Sequence, residues 1–132
     1  MNEKYTLEQI REVWLNAYFN GETDWLAYLE AHLFFVTRNG ELISKSEQIE
    51  FIERSRAKFP SKRANIVEFG ETVAEMKKQD HWATVSGSAW IKRNGEIVSQ
   101  CDFFELWLMV ENRWQIATLC IEDIDRTQKA QR

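Results

Sequence analysis

The sequence contains few of the residues that interrupt or crosslink a fold: five glycines, one proline and two cysteines among 132 residues. The scarcity of glycine and proline excludes a flexible linker, and we predict a single domain over residues 1–132. Cys101 and Cys120 lack the spacing of a metal or redox motif. In a cytoplasmic chain, two such cysteines are usually reduced.

Long apolar runs and an excess of basic charge are also missing. No stretch approaches the ~20 apolar residues of a membrane span, and the segment MNEKYTLEQI is too polar for a secretory signal. The net charge of −4 argues against nucleic acid as a partner, because duplex binding needs a basic surface. Cofactor-binding glycine motifs and histidines at metal spacing are absent. We expect a cytoplasmic protein without cofactor, metal, membrane or nucleic-acid partner.

Aromatic side chains, in contrast, are abundant. They make up 13% of the sequence and include six Trp and eight Phe. Aromatic residues carry much of the energy of cores and interfaces, and they also line ligand pockets. We expect most of them to form a core and a dimer surface, and a few to form the wall of a pocket.

The first part of the chain has the pattern of two helices. Thr6 and Gln9 form a capping box before an apolar helical period, which the Asn-Gly pair at 20–21 ends. Thr23 or Asp24 is predicted to cap a short second helix. This segment should therefore form a helical pair.

A strand, a tight turn and a third helix should follow. The segment HLFFVT is rich in strand formers and leads into Asn-Gly at 39–40, a pair favoured in hairpins. Ser44 and Glu47 form a second capping box, and the helix that it begins should end before Pro60.

The second half reads as strands separated by turns. Residues 65–77 form a long candidate strand in which Gly70 predicts a bulge or bend. An alternating segment then reaches Asn-Gly at 94–95, the strongest hairpin signal in the chain. Residues 97–110 and 114–123 complete the pattern. Three helices before an antiparallel meander predict an α+β fold, with the helices on the concave face of a curved sheet and a cavity between them.

Two segments carry a family resemblance: WLNAYFNGETDWLAYLEAHLFFVTRNGE and CDFFELWLMVENRWQIATL. In element order and turn positions they resemble the nuclear transport factor 2-like superfamily, in particular its SnoaL-like and ketosteroid-isomerase-like members. The resemblance covers residues 6–125 and leaves a polar tail at 126–132. It implies a cone-shaped, cystatin-like fold with a pocket at the open end, and dimers through the outer sheet face.

The resemblance also implies positions for the groups of a ketosteroid isomerase. Its general base would fall at Thr37, which cannot act as a base, and its oxyanion tyrosine at Trp14. Its oxyanion carboxylic acid falls on Asp102, where this sequence agrees. Only one of the three catalytic groups, the carboxylic acid at Asp102, is kept in this sequence. This argues against steroid isomerisation and leaves the hypothesis of a pocket acid.

Asp102 is the first catalytic candidate. In a strand it shares a face with Phe104, Leu106 and Leu108, and an unpaired ionised carboxylate is too costly to bury there. One hypothesis makes it a pocket acid that anchors a ligand or transfers a proton. The other makes it a strand-end acid that is solvated or paired with a basic residue.

His32 is a second catalytic candidate, because the resemblance includes dehydratases with pocket histidines; a surface or capping histidine is the alternative. Candidates for the ligand-binding wall are aromatic residues from both halves of the chain: Trp14, Tyr18, Phe35, Phe104 and Trp114. For Trp14, plain core packing is the competing interpretation.

The opposite face of the 97–110 strand is also aromatic. If the even-numbered residues meet the helices, then Phe103, Trp107 and Met109 point away from them. Together with Trp90 they would form an exposed apolar patch, which a symmetric homodimer would cover.

Two functions remain open. The first is a small-molecule pocket protein for an apolar or carbonyl-containing ligand, with the narrower hypothesis of a cofactor-independent isomerase, cyclase or hydrolyase that uses a pocket carboxylic acid. The alternative is a non-catalytic dimerisation or interaction module of the same fold. The sequence leaves open whether the protein is an enzyme.

Overall fold

The computed structural model describes residues 5–58 and 67–124, which form three helices and six strands. The helices are α1 (Leu7–Asn20), α2 (Thr23–Leu29) and α3 (Lys45–Lys58). The strands are β1 (Glu30–Arg38), β2 (Glu41–Ser44), β3 (Val67–Lys78), β4 (Trp82–Arg93), β5 (Glu96–Val110) and β6 (Arg113–Asp123). The predicted α+β class is confirmed.

The six strands form one sheet in the order β2-β1-β6-β5-β4-β3. Strands β3 to β6 form the predicted antiparallel meander. Strand β1 is added beyond β6 in parallel, and it carries β2 as the edge strand. The sheet is therefore mixed, because the β1–β6 pair is parallel and the other four pairs are antiparallel.

Local capping chemistry begins two of the helices. At α1, the Gln9 backbone N–H donates to Thr6 Oγ1 (3.1 Å), and the Thr6 N–H donates to Gln9 Oε1 (2.9 Å). Ser44 and Glu47 make the same reciprocal pair before α3. Both predicted capping boxes are confirmed, since each depends only on residues three positions apart.

The start of α2 differs from its prediction. The helix begins at Thr23 itself, and Glu22 occupies the cap position without a side-chain hydrogen bond to the helix. The Thr23 hydroxyl donates instead to Glu53 of α3 at 3.0 Å. A contact between helices thus replaces the predicted cap. The predicted helix stop at Pro60 lies outside the described residues.

Tight turns connect the strands where the sequence predicts them. Asn39 and Asn94 have φ of 53° and 54°, and each precedes a glycine at 86°, as two-residue hairpin turns require. At Gly70, however, the strand has no bulge, and the irregularity of β3 lies between Val73 and Glu75. Gly70 serves a different purpose: the Trp90 ring occupies the space that a Cβ at Gly70 would need.

The core lies between the helices and the inner face of the sheet. Trp14 and Trp107 are buried at its centre, with ring centroids 5.8 Å apart and ring planes at 87°. Leu26 and Leu29 bring α2 onto the same core, and Phe34 of β1 joins it. No helix within residues 5–58 and 67–124 is long and apolar enough to cross a membrane.

The predicted orientation of β5 is wrong. Phe103 and Trp107 are 7% and 0% exposed and face the helices, whereas Phe104 is 42% exposed on the outer face. Alternation shows which residues share a face but not which face is buried. The buried, odd-numbered face also carries Glu105, which is only 2% exposed.

Candidate functional site: a cavity with a charged floor

A cavity of about 140 Å³ lies between α1 and the inner face of the sheet. Its walls are mainly apolar and include Trp14, Leu15, Tyr18, Phe19, Phe69 and Phe103. Five charged side chains also line it: Arg11, Arg38, Glu71, Glu105 and Asp123. The chemistry of the site therefore depends on how these charges are paired.

Helix α1 places an arginine on its buried face. Leu7, Arg11, Trp14 and Ala17 follow the 3–4 spacing of one helix stripe, and all four are buried. A buried guanidinium needs partners for its N–H groups. The sheet supplies two carboxylates, Glu71 of β3 and Glu105 of β5.

Arg11 is held by four hydrogen bonds. Its Nε and Nη2 donate to the two oxygens of Glu105 at 2.8 and 2.9 Å. Its Nη1 and Nη2 donate to the two oxygens of Glu71, both at 2.7 Å. We call these three residues the Arg11 triad; it contains one guanidinium against two carboxylates, and so one uncompensated negative charge.

Arg11 remains charged in this environment. Burial alone would lower the pKa of Arg11, but the hydrogen bonds to Glu71 and Glu105 outweigh that effect, and the pKa is raised. Glu105 Oε1 also accepts a hydrogen bond from the Trp107 indole at 2.8 Å. Donors on two sides thus make it possible to bury Glu105 in an aromatic core.

A second ion pair lies at the more exposed end of the cavity. Arg38 Nε donates to Asp123 Oδ2 at 3.0 Å, and Asn39 donates to the same oxygen at 2.9 Å. The bond from Arg38 is the main reason that the pKa of Asp123 is lowered. Nearby, burial raises the pKa of the Cys101 thiol, which therefore stays protonated.

Tyr18 adds a polar group to the aromatic wall. Its ring packs against Trp14 with centroids 5.8 Å apart. Burial is the main cause that raises the pKa of Tyr18, so the side chain is a neutral phenol. A phenol both donates and accepts hydrogen bonds.

Behind the wall lies a buried carboxyl that the sequence analysis missed. Glu30 is 1% exposed and accepts hydrogen bonds from Trp14 Nε1 (3.2 Å) and Gln48 Nε2 (2.9 Å). Burial raises its pKa to about 7, against the opposing effect of these two donors and of Lys45. Among the described residues, Gln48 Oε1 is buried without a partner.

The whole fold has close counterparts among solved structures. An NTF2-like protein from Cytophaga hutchinsonii matches with a TM-score of 0.71 at 14% identity, over 94% of this chain and 100% of that chain. The chain has the nuclear transport factor 2-like fold. An NTF-2 like protein of unknown function from Shewanella oneidensis MR-1 matches with a TM-score of 0.67 at 20% identity, over 89% of this chain and 96% of its own.

A ketosteroid isomerase-like protein from Erwinia carotovora atroseptica also matches, with a TM-score of 0.64 at 14% identity, over 90% of this chain and 94% of that chain. No protein-family model matches the sequence, and no curated protein is significantly similar to it. At such identities the likeness establishes the NTF2-like fold alone, and the chemistry of the site has to be argued from its side chains.

Within this NTF2-like fold, the two catalytic candidates lie away from the cavity. Asp102 is exposed on the outer face of β5, between Ser88 of β4 and Glu122 of β6. His32 is exposed near the start of β1. The acidic residues at the cavity are instead Glu71, Glu105 and Asp123. The helical spacing that buries Arg11 is the sequence signal that could have indicated the first two.

The predicted wall residues are divided between the two sides of the sheet. Trp14 and Tyr18 line the cavity. Phe35 and Phe104 are 37% and 42% exposed on the outer face, and Trp114 is buried in the core outside the cavity lining. Phe104 lies outside the cavity because β5 has the opposite orientation to the predicted one. Phe103 occupies the wall position that was predicted for Phe104.

The predicted dimer residues are largely internal. Phe103 and Trp107 belong to the core, and Met109 is half-buried against it. Trp90 is half-buried, lies across Gly70 and borders the cavity. Within the described residues, no group of three or more His, Cys, Asp or Glu side chains could hold a metal ion.

Proposed function

We propose that the protein binds a small, largely apolar molecule in the cavity between α1 and the sheet. The observation that carries this proposal is an aromatic-walled cavity of about 140 Å³. A cavity of ~150 Å³ engineered into another protein binds benzene, which sets the scale of the ligand at about one aromatic ring. The neutral Tyr18 hydroxyl would supply a hydrogen bond to a polar substituent of that ring.

Binding is favoured over acid–base catalysis by the state of the cavity carboxylates. Glu71 and Glu105 each accept two hydrogen bonds from Arg11, so both carboxylates are held as the ion-pair partners of a buried guanidinium. The hypothesis of a cofactor-independent isomerase, cyclase or hydrolyase would need one of them in place of Asp102.

A cytoplasmic location remains a prediction, with which two free cysteines are compatible.

Titration with p-cresol tests the proposal. The ring should displace the amide and methyl NMR signals of cavity residues such as Ala89 and Leu119. Ala89→Leu, which adds volume inside the cavity, should weaken binding at least about tenfold, equal to 1.4 kcal/mol. Asp102→Asn, on the outer face of the same sheet, is the control and should bind normally. Failure of one-ring compounds to bind up to their solubility limit would refute the proposal.

A second function is favoured by the outer sheet face. Phe35, Trp82 and Phe104 are 37%, 39% and 42% exposed there, and Leu106 and Leu108 lie half-buried between them. We propose that this face forms a symmetric homodimer, through residues other than those expected from the sequence. Dimerisation and ligand binding use opposite faces of the sheet and are compatible.

A further inference from the structure

The charges around the cavity do not balance. Arg11 and Arg38 stand against Glu71, Glu105 and Asp123, which leaves one net negative charge. Arg38 and Asp123 neutralise each other at the exposed end, where their side chains are 52% and 34% exposed. The excess negative charge therefore lies in the Arg11 triad, at the more buried end of the cavity.

Glu71 is the accessible part of that charge. Its side chain is 22% exposed, compared with 8% for Arg11 and 2% for Glu105. Each oxygen of Glu71 accepts one hydrogen bond from Arg11 and keeps a further lone pair, because a carboxylate oxygen can accept two. Glu71 can thus accept a hydrogen bond from a donor that enters the cavity.

Aromatic rings stand beside this carboxylate. Phe69 lies two residues before Glu71 on the same face of β3, and its ring packs against Phe19 with centroids 4.4 Å apart. Aromatic faces attract cations, and an ion pair is stronger beside apolar walls than in water. A carboxylate next to this pair of aromatic rings is therefore a site for a positively charged group attached to an apolar body.

We propose that the cavity selects a small aromatic or alkyl amine, whose ammonium group donates to Glu71 while its apolar part lies against Phe69 and Phe19. This inference rests on the proposed function, since it names the charge of the molecule that the cavity binds. A neutral molecule of the same size leaves the excess charge uncompensated, and an anion adds to it. Binding should therefore rank cation, neutral molecule, anion.

Three one-ring compounds of similar size separate these outcomes at pH 7: benzylamine, benzyl alcohol and benzoate. Benzylamine, protonated at this pH, should bind at least about tenfold more tightly than benzyl alcohol, a difference of 1.4 kcal/mol. Benzoate should bind most weakly. Titration followed by NMR shifts of the cavity residues gives each dissociation constant and the place of binding.

Glu71→Gln is the informative variant, because it removes the excess charge and keeps the shape of the side chain. Its affinity for benzylamine should fall to that for benzyl alcohol, which itself should change less than about threefold. Asp102→Asn also removes one negative charge, but from the outer face, and should leave all three affinities unchanged. Should Glu71→Gln fail to fold, the ranking of the three compounds on the unaltered protein still decides the question.

The two proposals fail in different ways. If benzyl alcohol or benzoate binds as tightly as benzylamine, the selection of a cation is wrong while the one-ring pocket stands. If none of the three binds, and p-cresol does not bind either, both are wrong. If Asp102→Asn weakens benzylamine as much as Glu71→Gln does, the overall charge of the protein, and not Glu71, accounts for the preference.

Discussion

Arg11 shows at the scale of one residue how a buried charge is made compatible with a core. Its guanidinium connects α1 to β3 and β5 through two charged partners. A buried ion pair contributes little net stability relative to apolar residues, but the loss of one partner leaves an uncompensated charge. The three side chains therefore depend on one another far more strongly than surface ion pairs do.

Removal of the Arg11 side chain should accordingly destabilise the folded protein strongly. We expect Arg11→Met to lower the free energy of unfolding by about 3–5 kcal/mol at pH 7, because Glu105 would stay buried without its cation. Urea denaturation measures the change. Arg54→Met is the control: its partner is Glu50, both side chains are over two-thirds exposed, and the change should stay within about 0.5 kcal/mol. Adding Glu71→Gln and Glu105→Gln to Arg11→Met should recover most of the loss.

Glu30 predicts a specific dependence of stability on pH. Its pKa is 4.5 in the unfolded chain and about 7 in the folded protein, so the folded state binds more protons between these values. The stability that Glu30 contributes is complete below its unfolded pKa and is lost as the pH rises through about 7. Between pH 5 and pH 8 the loss should be roughly 2–3 kcal/mol.

Comparison with Glu30→Gln isolates this effect from all other titrating groups. The amide stays neutral at every pH and also offers an N–H to the Gln48 carbonyl, which is unpartnered among the described residues. Urea midpoints should show that Glu30→Gln gains stability relative to the unaltered protein from pH 5 to pH 8. A constant difference between the two proteins across this range would show that Glu30 is ionised throughout.

At the scale of elements, the sequence predicts what short-range chemistry decides. The capping boxes at Thr6 and Ser44 and the Asn-Gly turns depend on residues at most three apart, and all were found where predicted. The orientation of β5 depends on a partner 94 positions away, since Glu105 becomes a core residue only by meeting Arg11. The alternation of apolar residues along the strand could therefore not show which of its faces meets the helices.

The β3–β4 pair depends on a glycine for close packing, which gives a prediction for that element. The Trp90 ring fills the space above Gly70, its partner across the two strands. Gly70→Ala should lower the free energy of unfolding by about 1–3 kcal/mol, because the methyl group forces the indole to move. Thermal and urea unfolding measure the change. The control, Thr72→Ala, lies on the same strand and is exposed, so an equal loss there would exclude Trp90 as the cause.

At the scale of the whole molecule, long-range strand pairing creates the site. The parallel β1–β6 pair brings Arg38 next to Asp123, and the meander brings Glu71 and Glu105 under α1. The resemblance of two sequence segments was enough to predict the NTF2-like fold. It was not enough to predict the cavity charges, because the residues that carry them come from five separate elements.

The proposed dimer gives a prediction at this scale. Sedimentation equilibrium should give twice the 15.7 kDa mass of the chain. Phe104→Glu, at the exposed outer face, should yield a folded monomer, because it places a charge within the apolar contact. Val13→Glu introduces the same charge at a 39% exposed site on α1 and should leave the dimer intact. A monomeric unaltered protein would refute the proposed interface.

The pairing of Arg11 with two carboxylates also restricts how this chain can change over generations. Any single replacement at these three positions leaves either a buried charge or N–H donors of the buried Arg11 without their partner, so each first step towards a different pocket is disfavoured by selection for a folded protein. Exchange of the whole group passes through such a step unless a second substitution compensates for it. The three positions should therefore vary together among descendants of this sequence, whereas the exposed Asp102 should vary alone.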